Sequence, residues 1–140
     1  MTVPDDERHV LRALSLLMDE SRQLILRNVD GRLRPSQLRV IGSVPGASGI
    51  TVTALAIRVG MTKQAIGQFV TQLTEDGFLV SDADPEDRRV RVVRRTPAAD
   101  DALRHLAVRL AGLEADWERR VGKHRSREFR AALDEIAGLA

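Results

Sequence analysis

One tripeptide, Gly60-Met61-Thr62, limits the folds open to this chain more than any other feature of its sequence. The residues before it, 52–59, have the apolar spacing of a short helix, and Gly60 can adopt the positive φ that ends a helix. Thr51 is a suitable N-terminal cap for that helix, and Thr62 for the helix that follows. The tripeptide therefore predicts a tight turn between two helices.

A β-hairpin rich in arginine is predicted directly after the second of these helices. Residues 75–77 end the helix, residues 78–80 begin a strand, and Asp84-Pro85 forms the turn. The outgoing strand is expected to be half-buried, with valines alternating with arginines: Arg89, Val90, Arg91 and Val92. An arginine at a hairpin tip can enter the DNA minor groove, where the potential is most negative over narrow A·T tracts. The alternative is that the arginines only pair with nearby acids: Asp82, Asp84, Glu86 and Asp87.

The helix after the turn has an apolar and a polar face. Its apolar residues recur every three or four positions and are expected to be buried: Ile66, Phe69, Val70 and Leu73. The opposite face carries mid-length polar side chains and a glycine: Thr62, Lys63, Gln64, Gly67, Gln68 and Thr71. Lysine suits guanine or phosphate, glutamine suits adenine, and threonine can touch the thymine methyl, so this face could read bases. Taken alone it is more often a solvated face, and the hairpin that follows favours the DNA-binding interpretation.

Four segments resemble the MarR family of winged-helix transcriptional regulators: Leu55-Ala56 and residues 60–65, 73–77 and 84–89. The resemblance covers essentially the whole chain, and its most diagnostic part is Asp87-Arg88-Arg89 with Val93 and Thr96 after it. It implies a mainly α fold with a small β-hairpin wing (α+β), with a single MarR-type domain over residues 1–140. Residues 32–96 would form the winged helix-turn-helix lobe, and residues 4–30 and 97–140 the dimerisation helices.

The resemblance also implies how the lobe would contact DNA. Residues of about 62–75 would lie in the major groove and the wing, about 82–92, in the minor groove. Asp87 would steady the wing while Arg89 reaches into the groove. The wing residues expected at the DNA are Asp87, Arg88, Arg89 and Arg91. The chain departs from the family at three positions: Arg34 replaces a capping serine or threonine, Arg95 a leucine at the wing root, and Ala99 a glycine.

Apolar stripes on the terminal helices predict a dimer. Helices are expected over 4–29, from Pro35 to a loop at 42–49, from Thr96-Pro97, and after a break at Gly122. The stripes exceed what one small lobe can cover, and the family's dimers are built from the terminal helices. The expected interface comprises Leu11, Leu14, Leu110, Leu113, Trp117, Phe129, Leu133 and Ile136. A two-fold dimer would place two recognition helices about 34 Å apart and prefer an inverted repeat.

Composition argues against several other functions. The chain has no cysteine and its three histidines lack ligand spacing, so neither a metal nor a cofactor is expected. Phosphate-loop and nucleophile motifs are absent from the sequence, so an enzyme is not expected. The absence of an apolar run near ~20 residues predicts a cytoplasmic protein, nucleoid-associated when bound to DNA. The net charge of +2 is too small to indicate a nucleic-acid partner by itself.

The sequence thus predicts a homodimeric, sequence-specific regulator that binds double-stranded DNA and, by the family's usual mode, represses. Many family members lose DNA affinity when a small aromatic or phenolic anion binds between the dimer helices and the lobe. Arg22 and Arg39 lie near that expected junction, although aromatic residues are few. Two alternatives are a dimeric protein-interaction module and a non-specific architectural DNA binder with no ligand response.

Overall fold

The fold is mainly α-helical with a small antiparallel sheet, as predicted. It was obtained as a computed structural model that describes residues 9–28, 32–46 and 48–140. In these residues the elements are α1 (Val10–Asn28), α2 (Pro35–Ser43), β1 (Ile50–Thr51), α3 (Val52–Val59), α4 (Lys63–Glu75), β2 (Leu79–Ala83), β3 (Arg91–Arg95), α5 (Pro97–Val121) and α6 (Lys123–Ala137). The predicted start of the first helix at Pro4 and its end at Asp30-Gly31 lie outside the described residues.

The turn between α3 and α4 is built as its sequence predicts. The Thr51 hydroxyl accepts a hydrogen bond from the Ala54 N–H at 3.2 Å, and the Thr62 hydroxyl accepts one from the Ala65 N–H at 3.1 Å. Each bond satisfies one of the donors that a helix start leaves unpaired. Gly60 ends α3 with φ of 76°, in the left-handed region that glycine adopts without a steric cost. These three residues fix the direction in which α4 leaves the turn.

The sheet contains a strand that the sequence did not predict. The order is β1-β3-β2, with Ile50 opposite Val93 and Ser81 also opposite Val93 on the other side. β1 has only two residues and follows a stretch expected to be a loop, whose first residues, 42–43, belong instead to α2. β1 pairs with β3 at the edge of the hairpin, and because α3 begins directly after β1, the sheet is connected to the first residue of α3.

The register of β3 corrects the predicted strand face. Val93 is wholly buried, whereas Val90 and Val92 are only half-buried. The face that carries Leu79, opposite Arg95, packs against the helices, and paired strand residues point to the same side of a sheet. Val92 therefore lies on the outer face, and Arg89 precedes the strand in the turn instead of forming part of it.

The core lies between the sheet and helices α2, α3 and α4. Its fully buried side chains come from each of these elements and include Val40, Ile41, Leu55, Ile66, Leu73 and Val93. The first turns of α5 close the core, because Ala99 is wholly buried and Leu103 and Leu106 pack against the cluster. The predicted apolar face of α4 is thus buried, with Phe69 packed at its margin.

The start of α2 does not need the capping side chain that Arg34 replaces. A guanidinium has no acceptor atom and cannot cap a helix, and Arg34 makes no capping bond. Instead the buried Gln37 side chain accepts the Arg34 N–H at 2.8 Å, and Pro35 occupies the first helical turn, where its missing N–H costs nothing. One glutamine therefore supplies half of a capping box.

The chain divides into two compact units, residues 1–106 and 107–140, so that the boundary falls within α5. In the second unit, Gly122 separates α5 from α6 with φ of 87°, as predicted. Arg130 bridges Glu114 and Asp134 at 3.2 and 3.3 Å. None of the residues of α6 is buried, although its apolar stripe is present. The predicted domain bounds of 4–30, 32–96 and 97–140 stay predictions.

Candidate nucleic-acid interface

The outer face of α4 carries polar side chains that the protein itself does not use. Lys63, Gln64 and Gln68 are exposed, and within the described residues none makes a side-chain hydrogen bond or an ion pair. The helix is held by its opposite face, where Ile66 and Leu73 have no exposed surface. Amide and ammonium groups left free on a rigid helix can hydrogen-bond another molecule with little reorganisation.

Two threonines predicted on this face have hydrogen bonds within the protein. Thr62 caps α4, so its oxygen is occupied by the Ala65 N–H while its hydroxyl hydrogen stays available. Thr71 donates its hydroxyl hydrogen to the Gly67 carbonyl at 3.0 Å. Because this hydrogen is already used, Thr71 can offer its methyl group to a thymine methyl but has no hydrogen to donate to a base acceptor.

The tip of the wing is ordered by two aspartates that accept backbone hydrogen bonds. Asp84 Oδ1 accepts the Glu86 N–H at 2.9 Å, and Asp87 Oδ1 accepts the Arg89 N–H at 3.0 Å. Such bonds from an aspartate to the backbone two residues on fix a turn without a β-ladder. Asp87 Oδ1 also lies 3.3 Å from Arg89 Nε, while 92% of the Arg89 side chain is exposed. Arg89 is therefore held at its Nε, while its two terminal nitrogens are exposed and can bind another molecule.

The wing arginines differ in their partners, so the alternative that they only pair with neighbouring acids accounts for some of them and not for others. Arg89 contacts Asp87, and Arg94 lies 3.9 Å from Asp82, at the limit of an ion pair. Arg91 instead donates from Nε to the Ser81 hydroxyl at 3.2 Å and from Nη2 to the Ser81 carbonyl at 2.9 Å. Arg88 pairs with no acid among the described residues.

A groove of about 530 Å³ separates α4 from the wing, and we call it the α4–wing groove. Its walls come from the first unit: β1, the start of α3, one face of α4, and the hairpin with its turn. The lining residues are Thr51, Val52, Thr53, Lys63, Gly67, Val70, Thr71, Thr74, Glu75, Ser81, Arg89, Val90 and Arg91. Of the six predicted α4 residues, Lys63, Gly67 and Thr71 line it, whereas Gln64 and Gln68 do not.

Sequence reasoning missed several residues of the groove, namely Thr51, Thr53, Thr74, Glu75 and Ser81. Helical spacing carried part of the signal, because Lys63, Gly67 and Thr71 follow one another at intervals of four, and Thr74 and Glu75 lie three and four positions further on. The strand and α3 residues had no such signal, since their proximity depends on how three separate elements pack.

Arg39 and Arg58 link α2 to α3 through contacts that the sequence did not predict. Arg39 on α2 donates to the carbonyl of Val59, the last residue of α3, at 2.6 Å. Arg58 on α3 donates to the carbonyl of Ser43, the last residue of α2, at 3.0 Å. Each guanidinium caps the carbonyl end of the other helix, where unpaired carbonyls favour a cation. Arg39 is therefore engaged in this contact, and Arg22 lies 3.5 Å from Asp19 on its own helix.

Arg95 at the wing root reaches into the fold where a leucine was expected. Only 20% of its side chain is exposed, and Nε lies 3.0 Å from Asp100 Oδ1 without the alignment of a hydrogen bond. Gly46 makes room for the guanidinium, because an added Cβ there would lie 2.9 Å from Nη2. The neighbouring Thr96 hydroxyl donates to the Gly77 carbonyl at 2.7 Å. The strand's end thus stays packed, with an ion pair in place of an apolar contact.

The described residues hold no group of three or more histidine, aspartate or glutamate side chains arranged to bind a metal ion. None of the described helices is long and apolar enough to cross a membrane.

Comparisons with known proteins agree with this geometry. A family model described as MarR family matches residues 32–90, which contain the turn, α4 and most of the wing. A curated protein of Thauera aromatica, a candidate transcriptional regulatory protein for the hcr operon, is 32% identical over 84 residues. That match takes in 60% of this chain and 49% of the other, so the chain spans about half the length of the curated relative it matches.

Solved structures show the same fold over nearly the whole chain. The crystal structure of MarR matches with a TM-score of 0.78 at 22% identity, covering 93% of this chain and 96% of that one. The PcaV transcriptional regulator from Streptomyces coelicolor, in complex with its natural ligand, matches with a TM-score of 0.70 at 22% identity. That match covers 99% of this chain and 98% of the regulator.

Proposed function

We propose that this chain is a homodimeric, sequence-specific DNA-binding transcriptional regulator of the MarR family, whose model matches residues 32–90. One observation carries the proposal: the α4 face that exposes the unengaged Lys63 lines one groove with Arg89, which Asp87 holds at the tip of the wing. Gln64 and Gln68 are exposed on the same helix, and their side chains make no hydrogen bond within the described residues. Glutamine amides match the donor and acceptor pair of adenine, and an exposed arginine suits the negative potential of a minor groove.

Binding to two duplexes tests the proposal directly. Fluorescence anisotropy would compare the DNA upstream of the protein's own gene with an unrelated duplex of equal length, at several salt concentrations. Specific binding should exceed non-specific binding by ~10³ or more. Equal affinity for the two duplexes would favour an architectural binder, and binding to neither would favour a protein-interaction module.

Matched variants separate the roles of the wing and of α4. Arg89→Ala should weaken binding to both duplexes, whereas Arg125→Ala, which removes the same charge from an exposed position of α6, should not. Gln64→Ala and Gln68→Ala should relax discrimination by ~1 to 3 kcal/mol each. Gln72→Ala is the control on the same helix, because its amide already contacts Asp76 at 3.2 Å.

Dimerisation is proposed from the apolar side chains that one protomer leaves uncovered. Leu11 on α1 is 52% exposed, and Phe129 and Ile136 on α6 are 44% and 84% exposed. Covering such side chains is the main source of affinity between subunits. Ile136→Asp should shift the protein towards a monomer in sedimentation experiments, whereas Val108→Asp, also at an exposed apolar position but outside the predicted interface, should not.

Repression and ligand release complete the proposal. A regulator that occupies a promoter as a dimer lowers transcription by excluding polymerase, so deletion of its gene should raise expression of a reporter driven by its upstream DNA. The structural neighbour PcaV is in complex with its natural ligand, which supports a search for a small-molecule ligand here. The resemblance to the family makes small aromatic or phenolic anions the first compounds to test. A compound that raises the melting temperature and weakens DNA binding would identify such a ligand. The first effect shows that it binds the folded protein, and the second that it binds the DNA-free conformation more tightly than the DNA-bound one.

A further inference from the structure

We propose that Arg95 is a positioning residue, whose ion pair with Asp100 sets the orientation of the wing relative to α5 and thereby the affinity for DNA. The inference rests on the proposed function, because it concerns how the wing is held for binding. Arg95 is not itself a DNA contact, since only 20% of its side chain is exposed at the root of the wing.

The Arg95 guanidinium lies where three segments of the lobe meet. Arg95 is the last residue of β3, Asp100 lies in the first turn of α5, and Gly46 lies between α2 and β1. Nε is 3.0 Å from Asp100 Oδ1, and a Cβ added to Gly46 would lie 2.9 Å from Nη2. A second polar contact, from the Thr96 hydroxyl to the Gly77 carbonyl, joins the two ends of the hairpin to each other. Because Thr96 alone separates β3 from α5, the ion pair fixes the angle between the strand and the helix.

The ion pair contributes to orientation more than to stability. Removing a guanidinium and a carboxylate from water costs free energy, which their attraction repays only with good geometry. Here Nε is buried and has no aligned hydrogen-bond partner among the described residues. Leu79 and Val93 anchor the hairpin by apolar burial, which has no preferred direction. The ion pair, in contrast, favours one arrangement of its two charges and so specifies the angle of the hairpin.

Three substitutions disturb the pair with different changes of charge. Arg95→Leu removes a positive charge, Asp100→Asn removes a negative charge, and Gly46→Ala moves the guanidinium without changing any charge. Alanine is compatible with the backbone at position 46, because the φ of Gly46 lies outside the left-handed region. If the pair positions the wing, each variant should bind the upstream duplex about fivefold more weakly than the wild type. A direct effect of charge instead predicts tighter binding by Asp100→Asn and no change in Gly46→Ala.

Arg95→Leu also separates positioning from structural support. We expect its midpoint of unfolding in urea to stay near that of the wild type, since leucine fills the space of the guanidinium without its desolvation cost. A purely structural role would lower the midpoint and the affinity together. Arg95→Lys, which can still pair with Asp100, should recover most of the affinity that Arg95→Leu loses.

Matched controls lie close to both sites. Asp101→Asn removes the same charge as Asp100→Asn from the same turn of α5, but Asp101 pairs with Arg104 on its own helix. This control should bind DNA at least as tightly as the wild type. Gly42→Ala adds the same methyl group as Gly46→Ala, at an ordinary contact distance of 3.7 Å from the nearest side chain. It should leave the affinity unchanged.

Hydrogen exchange of the free protein tests the orientation of the wing without DNA. Backbone amides of β2 and β3 should exchange faster in Asp100→Asn than in Asp101→Asn, while those of α4 should exchange alike. Equal exchange of the hairpin in these two variants would refute the positioning role, whether or not the protein binds DNA.

Two binding results would also overturn the inference. Wild-type affinity in Arg95→Leu, Asp100→Asn and Gly46→Ala would show that the pair does not set the wing for DNA. Tighter binding by Asp100→Asn, with unchanged binding by Gly46→Ala, would reduce the effect of Arg95 to its charge. Wild-type protein that binds neither duplex would refute the proposed function and, with it, the effect of the pair on DNA affinity.

Discussion

Replacing Asp87 tests whether the wing acts on DNA through an arginine that is held in place. Asp87 Oδ1 accepts the Arg89 N–H at 3.0 Å and lies 3.3 Å from Arg89 Nε. The contact to Nε contributes little, since the Arg89 side chain is 92% exposed and solvent screens the pair. The backbone bond contributes about 1 kcal/mol, which corresponds to about fivefold in affinity if DNA binding requires the ordered turn.

Removing the carboxylate also removes a negative charge close to the phosphates, which by itself favours binding. Asp87→Asn separates the two effects, because an asparagine oxygen accepts the same backbone bond without the charge. We expect Asp87→Asn to bind DNA at least as tightly as the wild type, and Asp87→Ala to bind about fivefold more weakly than Asp87→Asn. Anisotropy titrations on the upstream duplex would measure the ratio, with circular dichroism to check folding.

Asp84 provides the control, because it makes the same kind of bond in the same loop, to the Glu86 N–H, and pairs with no arginine among the residues that the structure describes. A similar ratio between Asp84→Ala and Asp84→Asn would mean that binding responds to loop order in general. Equal affinities of Asp87→Ala and Asp87→Asn would refute the reasoning, because the turn bond would then make no difference to DNA binding.

Three further predictions concern stability. Arg95→Leu should leave the free energy of unfolding within about 1 kcal/mol of the wild type or raise it, since Nε is buried without a hydrogen bond and Asp100 stays solvated; a loss above about 2 kcal/mol in urea would show that the ion pair holds the wing root. Gly60→Ala should cost about 1 to 2 kcal/mol in thermal unfolding because φ is 76°, and unchanged stability would contradict it. Thr62→Ala should cost about 1 kcal/mol through loss of the cap to the Ala65 N–H, whereas Thr62→Ser should keep it.

The parts of the fold that sequence predicted are those whose signals lie within a few residues. Thr51, Gly60 and Thr62 were identified because a cap or a positive-φ glycine acts on neighbours three or four positions away. The buried face of β3 was predicted wrongly because the adjacent residues Val92 and Val93 point to opposite faces of the sheet. Only the pairing of β3 with Ile50 and with β2 decides which of the two valines is buried. Local pattern cannot supply that information.

The candidate site divides in the same way. The polar face of α4 follows from helical spacing alone, and so does the row of Lys63, Gly67 and Thr71. The groove needs the wing and the start of α3 to be placed beside that row, which depends on tertiary packing. The contact of Arg39 with the Val59 carbonyl has no signal in the sequence, since every residue carries a backbone carbonyl.

Arg39 and Arg58 couple the position of α2 to the carbonyl end of α3. Val59 stands immediately before the turn that aims α4, and Arg39 ties it to α2 by a 2.6 Å hydrogen bond. Apolar contacts can slide past one another at small cost, but this bond cannot lengthen without leaving the carbonyl end of α3 unpaired. A displacement of α2 relative to α3 would therefore have to break this bond or move Val59, the residue before the turn into α4. Under the proposed function, a change at the end of α2 that breaks this bond should therefore alter the contacts that α4 makes with DNA.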